Sequence, residues 1–395
     1  MAGVDQVLNP YSPGRGIRPL ELAGRGVEIS EMDVALQRIR TGRSAKSQLV
    51  TGLRGVGKTV LLHEFARVAG KRGFIHEHIE MDQDGALPLR LAMTLRKAVL
   101  KLGGRKKAKG ADRRALGVLK AFVLTLPDGA RLPIEADVVL GTADSGDLAS
   151  DLGALLEEVG QAAAAHESGV FLTLDGLHHL PAACLEALLV GLHGAHRLGL
   201  PVALAGAGLP TPAGLTGEAR YCAEQMFRFR PLGPLGPDDA ALAVQAPAAA
   251  ENVSWKGSAV ARLYEVTQGY PYFIQELAKQ AWDLAEEGSK AIRQGDVERG
   301  IPLALAELDA SFFGVGAART TAPERSYLRA MAELGPGIVS SGAVAAVLRK
   351  KTTQVAPVRD TLIKKALCFS PRFNELAFTA PLFDQFMKRW IPSLA

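Results

Sequence analysis

The sequence predicts an α/β fold in which a parallel sheet, covered by helices, carries a loop built to hold phosphate. Three observations predict it. The apolar stretch Gln48-Leu49-Val50-Thr51 runs into glycines and then into a periodic apolar stripe at Val60, Leu61, Phe65, Val68 and Ala69, giving the order strand, loop, helix. Further apolar stretches at 74–79, 170–174, 201–205 and 226–229 alternate with helical segments, and strands alternating with helices form a parallel sheet. Beyond Pro237 the strand signals cease. Helices fill 238–310, and 320–395 reads helix, helix, helix, hairpin.

The bulk properties bound this reading. A chain of 395 residues exceeds one ordinary core, so two or three domains are expected. With 48% hydrophobic and 22% charged residues it belongs with folded chains. No apolar run approaches the roughly 18 residues of a membrane span, and residues 1–30 lack a basic-then-apolar signal, so the expectation is a cytoplasmic protein with no membrane partner. Cys184, Cys222 and Cys368 are far apart and outside any CxxC spacing, so neither a disulfide framework nor a zinc site is expected.

The organisation follows from composition. Residues 1–20, with Pro10, Pro13 and Pro19, form an extended leader. A core of 21–236 holds a basic insertion at about 103–147, a helical lid covers 237–315, and the last unit is 320–395. The net charge of +5 is uneven: 101–120 carries eight Lys/Arg against one Asp, and 340–395 carries nine against three acids. Such patches on an acidic body suit docking of an anionic polymer. The stretch 103–110 reads equally as a solvated loop.

The chemistry concentrates in Gly52-Leu53-Arg54-Gly55-Val56-Gly57-Lys58-Thr59, which fits GxxxxGK[ST] without mismatch. Glycines let backbone N–H groups converge on phosphate, the helix that begins near Lys58 aims its positive end at it, and the ammonium neutralises the β/γ charge. Thr59 supplies a hydroxyl to Mg²⁺, and Val60 continues the first turn. The ligands implied are ATP or ADP with Mg²⁺. Asp175, closing the apolar stretch Phe171-Leu172-Thr173-Leu174, is the second metal-side carboxylate, or else a cap of the following helix. Many such sites place Glu next, as general base; here Gly176 follows, then Leu177, His178 and His179. The base would then be an imidazole, and hydrolysis is expected to be slow.

Together these stretches resemble the bacterial, mainly actinobacterial, AAA+ ATP-binding proteins related to initiator (origin-recognition) ATPases, and more distantly the STAND class of signalling NTPases. The resemblance is carried by NPYSPG at 9–14, LAGRGVEI at 22–29, GLRGVGKTVLL at 52–62, LTLDGLHHLP at 172–181, VALAGAGLP at 202–210 and TQGYPYFIQELAKQAW at 267–282. It implies an AAA+/STAND-like P-loop NTPase with an adenine pocket lined around Ala23, Gly24 and Arg25. It also implies a lid element, Gly269-Tyr270-Pro271, that brings Pro271 over the nucleotide, although Gly-Tyr-Pro is also an ordinary helix start. The C-terminal order suits a winged helix whose third helix carries Arg359, Lys364 and Lys365 and whose wing carries Arg372, for duplex DNA or for a protein partner. The expected function is a switch in which nucleotide state controls DNA or partner binding, with a homo-oligomer among its expected assemblies. The alternative is a STAND-like signalling or defence module whose ATP is largely structural.

Overall fold

The computed structural model describes residues 3–81, 87–104, 109–126, 133–210 and 217–393. Five parallel strands, β1 (Ser47–Thr51), β2 (Phe74–Glu80), β3 (Gly169–Asp175), β4 (Val202–Gly208) and β5 (Phe227–Pro231), pair in the order β2-β3-β4-β1-β5. This is the P-loop NTPase α/β fold. Because β4 lies between β1 and β3, the loop after β1 and the carboxylate that ends β3 face each other across one strand's width. One face of the sheet packs on Met32, Leu36, Leu61, Leu62 and Phe65 of the helices Gly26–Arg40 and Lys58–Lys71. The other face is covered by Leu87–Gly103, Lys109–Thr125, Leu148–Ala165 and Ala182–Arg197.

The basic insertion is helical beyond the stretch 103–110. Residues 105–108 lie outside the described residues, but Lys109–Thr125 is a helix that buries Ala115, Val118, Leu119 and Phe122 in the core. Its charge is partly spent locally: Arg114 pairs with Glu158 at 2.8 Å and Lys120 donates to the Ala136 carbonyl at 2.9 Å. Burial raises the thiol pKa values of Cys184 and Cys368, the latter to about 12. The Cys222 side chain lies outside the described residues.

Beyond Pro237 the helices Pro237–Ala250, Gly257–Thr267, Pro271–Asp283 and Gln294–Glu307 bury one apolar cluster. Strands do not cease here as expected: Ser254–Trp255 and Ala291–Ile292 pair in parallel, and two residues each are too short to leave a periodic signal. The last of these helices continues through a widened π turn, Leu308–Phe313, to Ala317. This 24-residue helix meets the length and composition of a membrane span, the one exception among the described residues to the expectation of no such run. Val297 and Ala304 pack in the cluster of these four helices and Leu308, Phe313 and Ala317 in the C-terminal one.

The C-terminal segment holds helices Ala322–Glu333, Ser341–Val347, Thr352–Lys364 and Phe383–Trp390 around three short antiparallel strands, Val339–Ser340, Glu375–Phe378 and Cys368–Phe369. The hairpin turns at Asn374, whose φ of 63° suits Asn. The final helix was not anticipated from the sequence.

The leader is extended but docked. Val4 exchanges backbone hydrogen bonds with Ser289 and Gly288, and Asn9 Nδ2 donates to Asp283 Oδ1 at 2.7 Å. Tyr11 is buried, donates its hydroxyl to the Val244 carbonyl at 2.5 Å and accepts from Trp255 Nε1 at 2.7 Å. Tyr11→Phe should therefore lower stability by about 1–3 kcal/mol, because two buried groups lose their partner. An unchanged denaturation midpoint would show that these bonds contribute nothing.

Candidate nucleotide-binding site

The P-loop takes its shape from two glycines. Gly55 and Gly57 have φ of 85° and 90°, in the left-handed region where a Cβ is costly. Gly57 precedes the helix Lys58–Lys71, whose N-terminus has no side-chain cap and no acid in its first turn. Those N–H groups are a fit for an anion. Lys58 Nζ donates to the carbonyls of Gly52 and Leu53, both at 2.8 Å, and burial holds its pKa down to about 8 against the pull of Asp175. Thr59 Oγ1 donates to Asp175 Oδ2 at 2.5 Å. This hydroxyl–carboxylate pair is the hard oxygen set that suits Mg²⁺, so the residues present fit an Mg²⁺-nucleotide; the ion would neutralise phosphate charge there.

The structure brings the other expected residues to the same place with different emphases. Arg25 is buried and its guanidinium donates to the carbonyls of Val56, at 3.3 Å, and Gly233, at 2.9 Å, so it braces the loop from beneath. Gly24 has φ of 66°, and a Cβ there would come within 2.7 Å of Asp239 Oδ2. Ala23 is buried in the cluster of the helices beyond Pro237. Gly269 also lies in the left-handed region, accepts from Leu235 N–H at 2.8 Å, and lets Pro271 open the helix Pro271–Asp283. The Tyr272 N–H donates to the Gly55 carbonyl at 3.2 Å, so the Gly-Tyr-Pro element lies against the P-loop.

After Asp175 come the two histidines proposed from sequence as a base. Leu177–His179 is a single 3₁₀ turn, and the His178 and His179 rings lie 4.0 Å apart between centroids. Burial, then the charges of His179, Lys58 and Arg54, push His178 down to about 3. His76 and His78 on β2 both bond the buried Thr173 hydroxyl, at 2.9 and 2.8 Å, and burial lowers both.

Several interactions at the site carry no signal in sequence spacing. The Arg54 N–H donates to the Thr379 carbonyl at 2.8 Å, and the Arg54 guanidinium lies 5.6 Å from the Phe312 ring centroid. The π turn presents Phe312 to Tyr272, with ring centroids 4.8 Å apart, and Phe313 to Phe386 at 5.3 Å in the C-terminal cluster. Of the residues expected to touch DNA, Arg359 and Lys364 lie on the helix Thr352–Lys364, Lys365 follows it directly, and Arg372 lies between the two strands of the hairpin. Lys365 Nζ pairs with Glu324 Oε2 at 2.7 Å and donates to the Arg319 carbonyl; Arg359 pairs with its neighbour Asp360 at 2.7 Å, and Lys364 has an interaction of its own. Arg359 and Lys365 are thus ion-paired within the segment. Arg372 is exposed at the hairpin tip beside the fully exposed Phe373. Arg349, Lys350 and Lys351 precede the helix Thr352–Lys364, all three exposed, and nothing in their spacing singles them out.

Comparison with known proteins agrees with this geometry. Residues 21–204 match the AAA ATPase domain, and 310–387 match a domain of unknown function (DUF8462). No curated protein matches the chain. Among solved structures, a Walker-type ATPase of Pyrococcus abyssi is similar at TM-score 0.59 and 15% identity, covering 96% of this chain and 99% of that one. Cdc6p of Pyrobaculum aerophilum is similar at TM-score 0.51 and 16% identity, covering 99% of each chain. At such identities the likeness is one of fold. With its P-loop after β1 and its facing carboxylate on β3, the chain has a P-loop NTPase fold, and its residues 21–204 match the AAA ATPase domain.

Proposed function

We propose that the protein is an ATP-binding switch whose nucleotide state is read out by the C-terminal segment, taken as a winged helix. One observation carries the reading: the P-loop's own backbone, at Arg54, is hydrogen-bonded to Thr379 in that segment. In this reading, phosphate entering the loop shifts Arg54 and Gly55. Any such shift is passed to Thr379 directly, and to Phe312 through the Arg54 guanidinium. The π turn supports the same route, because such widened turns cluster at functional sites. No carboxylate follows Asp175 in the next two positions, so hydrolysis must draw its base from elsewhere.

Duplex DNA is the favoured partner, with Arg372 on the wing and Arg349, Lys350 and Lys351 at the start of the third helix as the groups that meet phosphate. Arg349→Ala/Lys350→Ala/Lys351→Ala should weaken duplex binding and flatten the log–log salt slope by about 0.9 for each phosphate no longer neutralised. Arg359→Ala/Lys365→Ala should change that slope little. ATP should shift the affinity of the wild type, and Phe312→Ala should abolish that shift. Fluorescence anisotropy of a labelled duplex, titrated at several salt concentrations with and without ATP, reads all three. If wild type and triple variant give the same curves, the second reading takes over. In it the winged helix binds a protein in a STAND-like module, which the exposed Phe373 at the wing tip favours.

A further inference from the structure

We propose that Glu80, on the strand beside Asp175, is the general base for ATP hydrolysis, and that Arg15 of the leader positions it. This rests on reading the P-loop as a site that binds and hydrolyses ATP. The register of the sheet is the first ground. β2 and β3 run parallel with Glu80 opposite Asp175, His78 opposite Thr173 and His76 opposite Phe171. Alternation puts these six residues on one face. That face is the one turned to the P-loop helix: Phe171 packs with Leu61, Leu62 and Phe65, the His78 ring lies 5.4 Å from that of His63, and Asp175 accepts from Thr59. Glu80 therefore stands level with Asp175, one strand over, on the metal side of the sheet.

The second ground is that, among the described residues, the position directly after Asp175 and two nearby imidazoles are engaged otherwise. Gly176 has φ of 87°, and a Cβ there would lie 2.8 Å from the Met81 carbonyl oxygen, so no side chain is accommodated directly after Asp175. The His178 ring is packed on that of His179, 4.0 Å away between centroids. His78 is bonded to Thr173 inside the sheet face. The Glu80 carboxylate, by contrast, is more than half exposed.

The third ground is what lies over it. Arg15 is ion-paired with Glu80 and contributes to the electrostatic field at Arg54 of the P-loop. At the next residue, a Cβ on Gly16 would come within 3.2 Å of the Thr59 methyl and 3.4 Å of the His63 ring. The leader thus crosses the first turn of the P-loop helix and delivers a guanidinium to Glu80, while Asn9 and Tyr11 fix its other end to the helices beyond Pro237. In the reaction, Glu80 takes a proton from water as the water oxygen bonds to the γ-phosphorus. The bond from that phosphorus to the β,γ-bridging oxygen breaks, and its electron pair leaves on ADP. Arg15 holds the carboxylate toward the water and has no share in the proton transfer.

The test compares full-length wild type with Glu80→Gln, Glu80→Asp and Arg15→Ala, each checked for its unfolding midpoint. ATP affinity is measured by calorimetry and hydrolysis by phosphate release. Glu80→Gln should cut turnover by about 10²-fold or more while binding ATP as tightly as wild type or more so, since a carboxylate near the triphosphate is gone. Glu80→Asp should retain part of the rate. Arg15→Ala should lower kcat with KM unchanged, and Arg15→Lys should recover part of it. Turnover by Glu80→Gln at the wild-type rate would overturn the assignment and leave ATP binding standing, as would a wild type that binds ATP and never hydrolyses it. A wild type that fails to bind ATP would instead sink the reading of the site itself.

Discussion

Lys58→Ala should abolish tight ATP binding. The ammonium is buried against the loop carbonyls of Gly52 and Leu53, so bound phosphate would meet it with little intervening water. Truncating one member of a desolvated, hydrogen-bonded charge pair costs about 2–5 kcal/mol, which is on the order of 30- to 5,000-fold in affinity. Calorimetry of the variant and wild type with Mg²⁺-ATP measures it, and equal dissociation constants would remove Lys58 from the site. The lowered pKa adds a pH signature. In the free protein Lys58 loses its proton near pH 8, whereas bound phosphate keeps it charged. Affinity should then fall as pH rises above about 8, and Lys58→Ala should not show this fall. The sign for stability is the reverse of the usual lysine case. The folded value is depressed below the ordinary 10.5, so between about 8 and 10.5 the unfolded chain binds more protons and this group's contribution to stability rises with pH.

Gly176→Glu should destabilise the protein and fail to raise turnover. Sequence alone argues the opposite, because Gly176 stands where many ATPases place their catalytic glutamate, and restoring it should speed a slow enzyme. The backbone there has φ of 87° and ψ of 32°. A non-glycine residue in this conformation costs roughly 1–3 kcal/mol. Its Cβ would also press on the Met81 carbonyl oxygen, and Met81 N–H is itself bonded to the Asp175 carbonyl at 2.8 Å. Relief of that overlap would displace Asp175, the partner of Thr59. A fall in the unfolding midpoint together with weakened Mg²⁺ dependence of ATP binding is the expected result. A raised kcat at an unchanged midpoint would show that the turn opens readily and that the adjacent position is the natural seat of the base.

The phosphate-binding loop was legible from sequence because all its parts are consecutive. Glycines at fixed offsets, Lys58 and Thr59 at a helix start, and an apolar strand before them express local backbone requirements, and local requirements leave local patterns. The β-strands near 170 and 202 were legible for the same reason, each being a buried apolar run, and those near 74 and 227 as partly apolar stretches beside them. Asp175 was legible as the polar end of such a run. The two-residue strands and the hinge-like π turn were not, since they arise from packing and are too short to shape composition. Only the tertiary structure decided which carboxylate stands beside Asp175, because register between β2 and β3 joins residues about a hundred positions apart and any neighbouring phase would have turned Glu80 to the other face. It also decided that Arg359 and Lys365 are occupied by Asp360 and Glu324, and that Arg54 bonds to Thr379. Charge in a sequence tells which side chains can pair, and the fold's distances choose the pairs; at the P-loop they joined the phosphate site to a segment more than three hundred residues away.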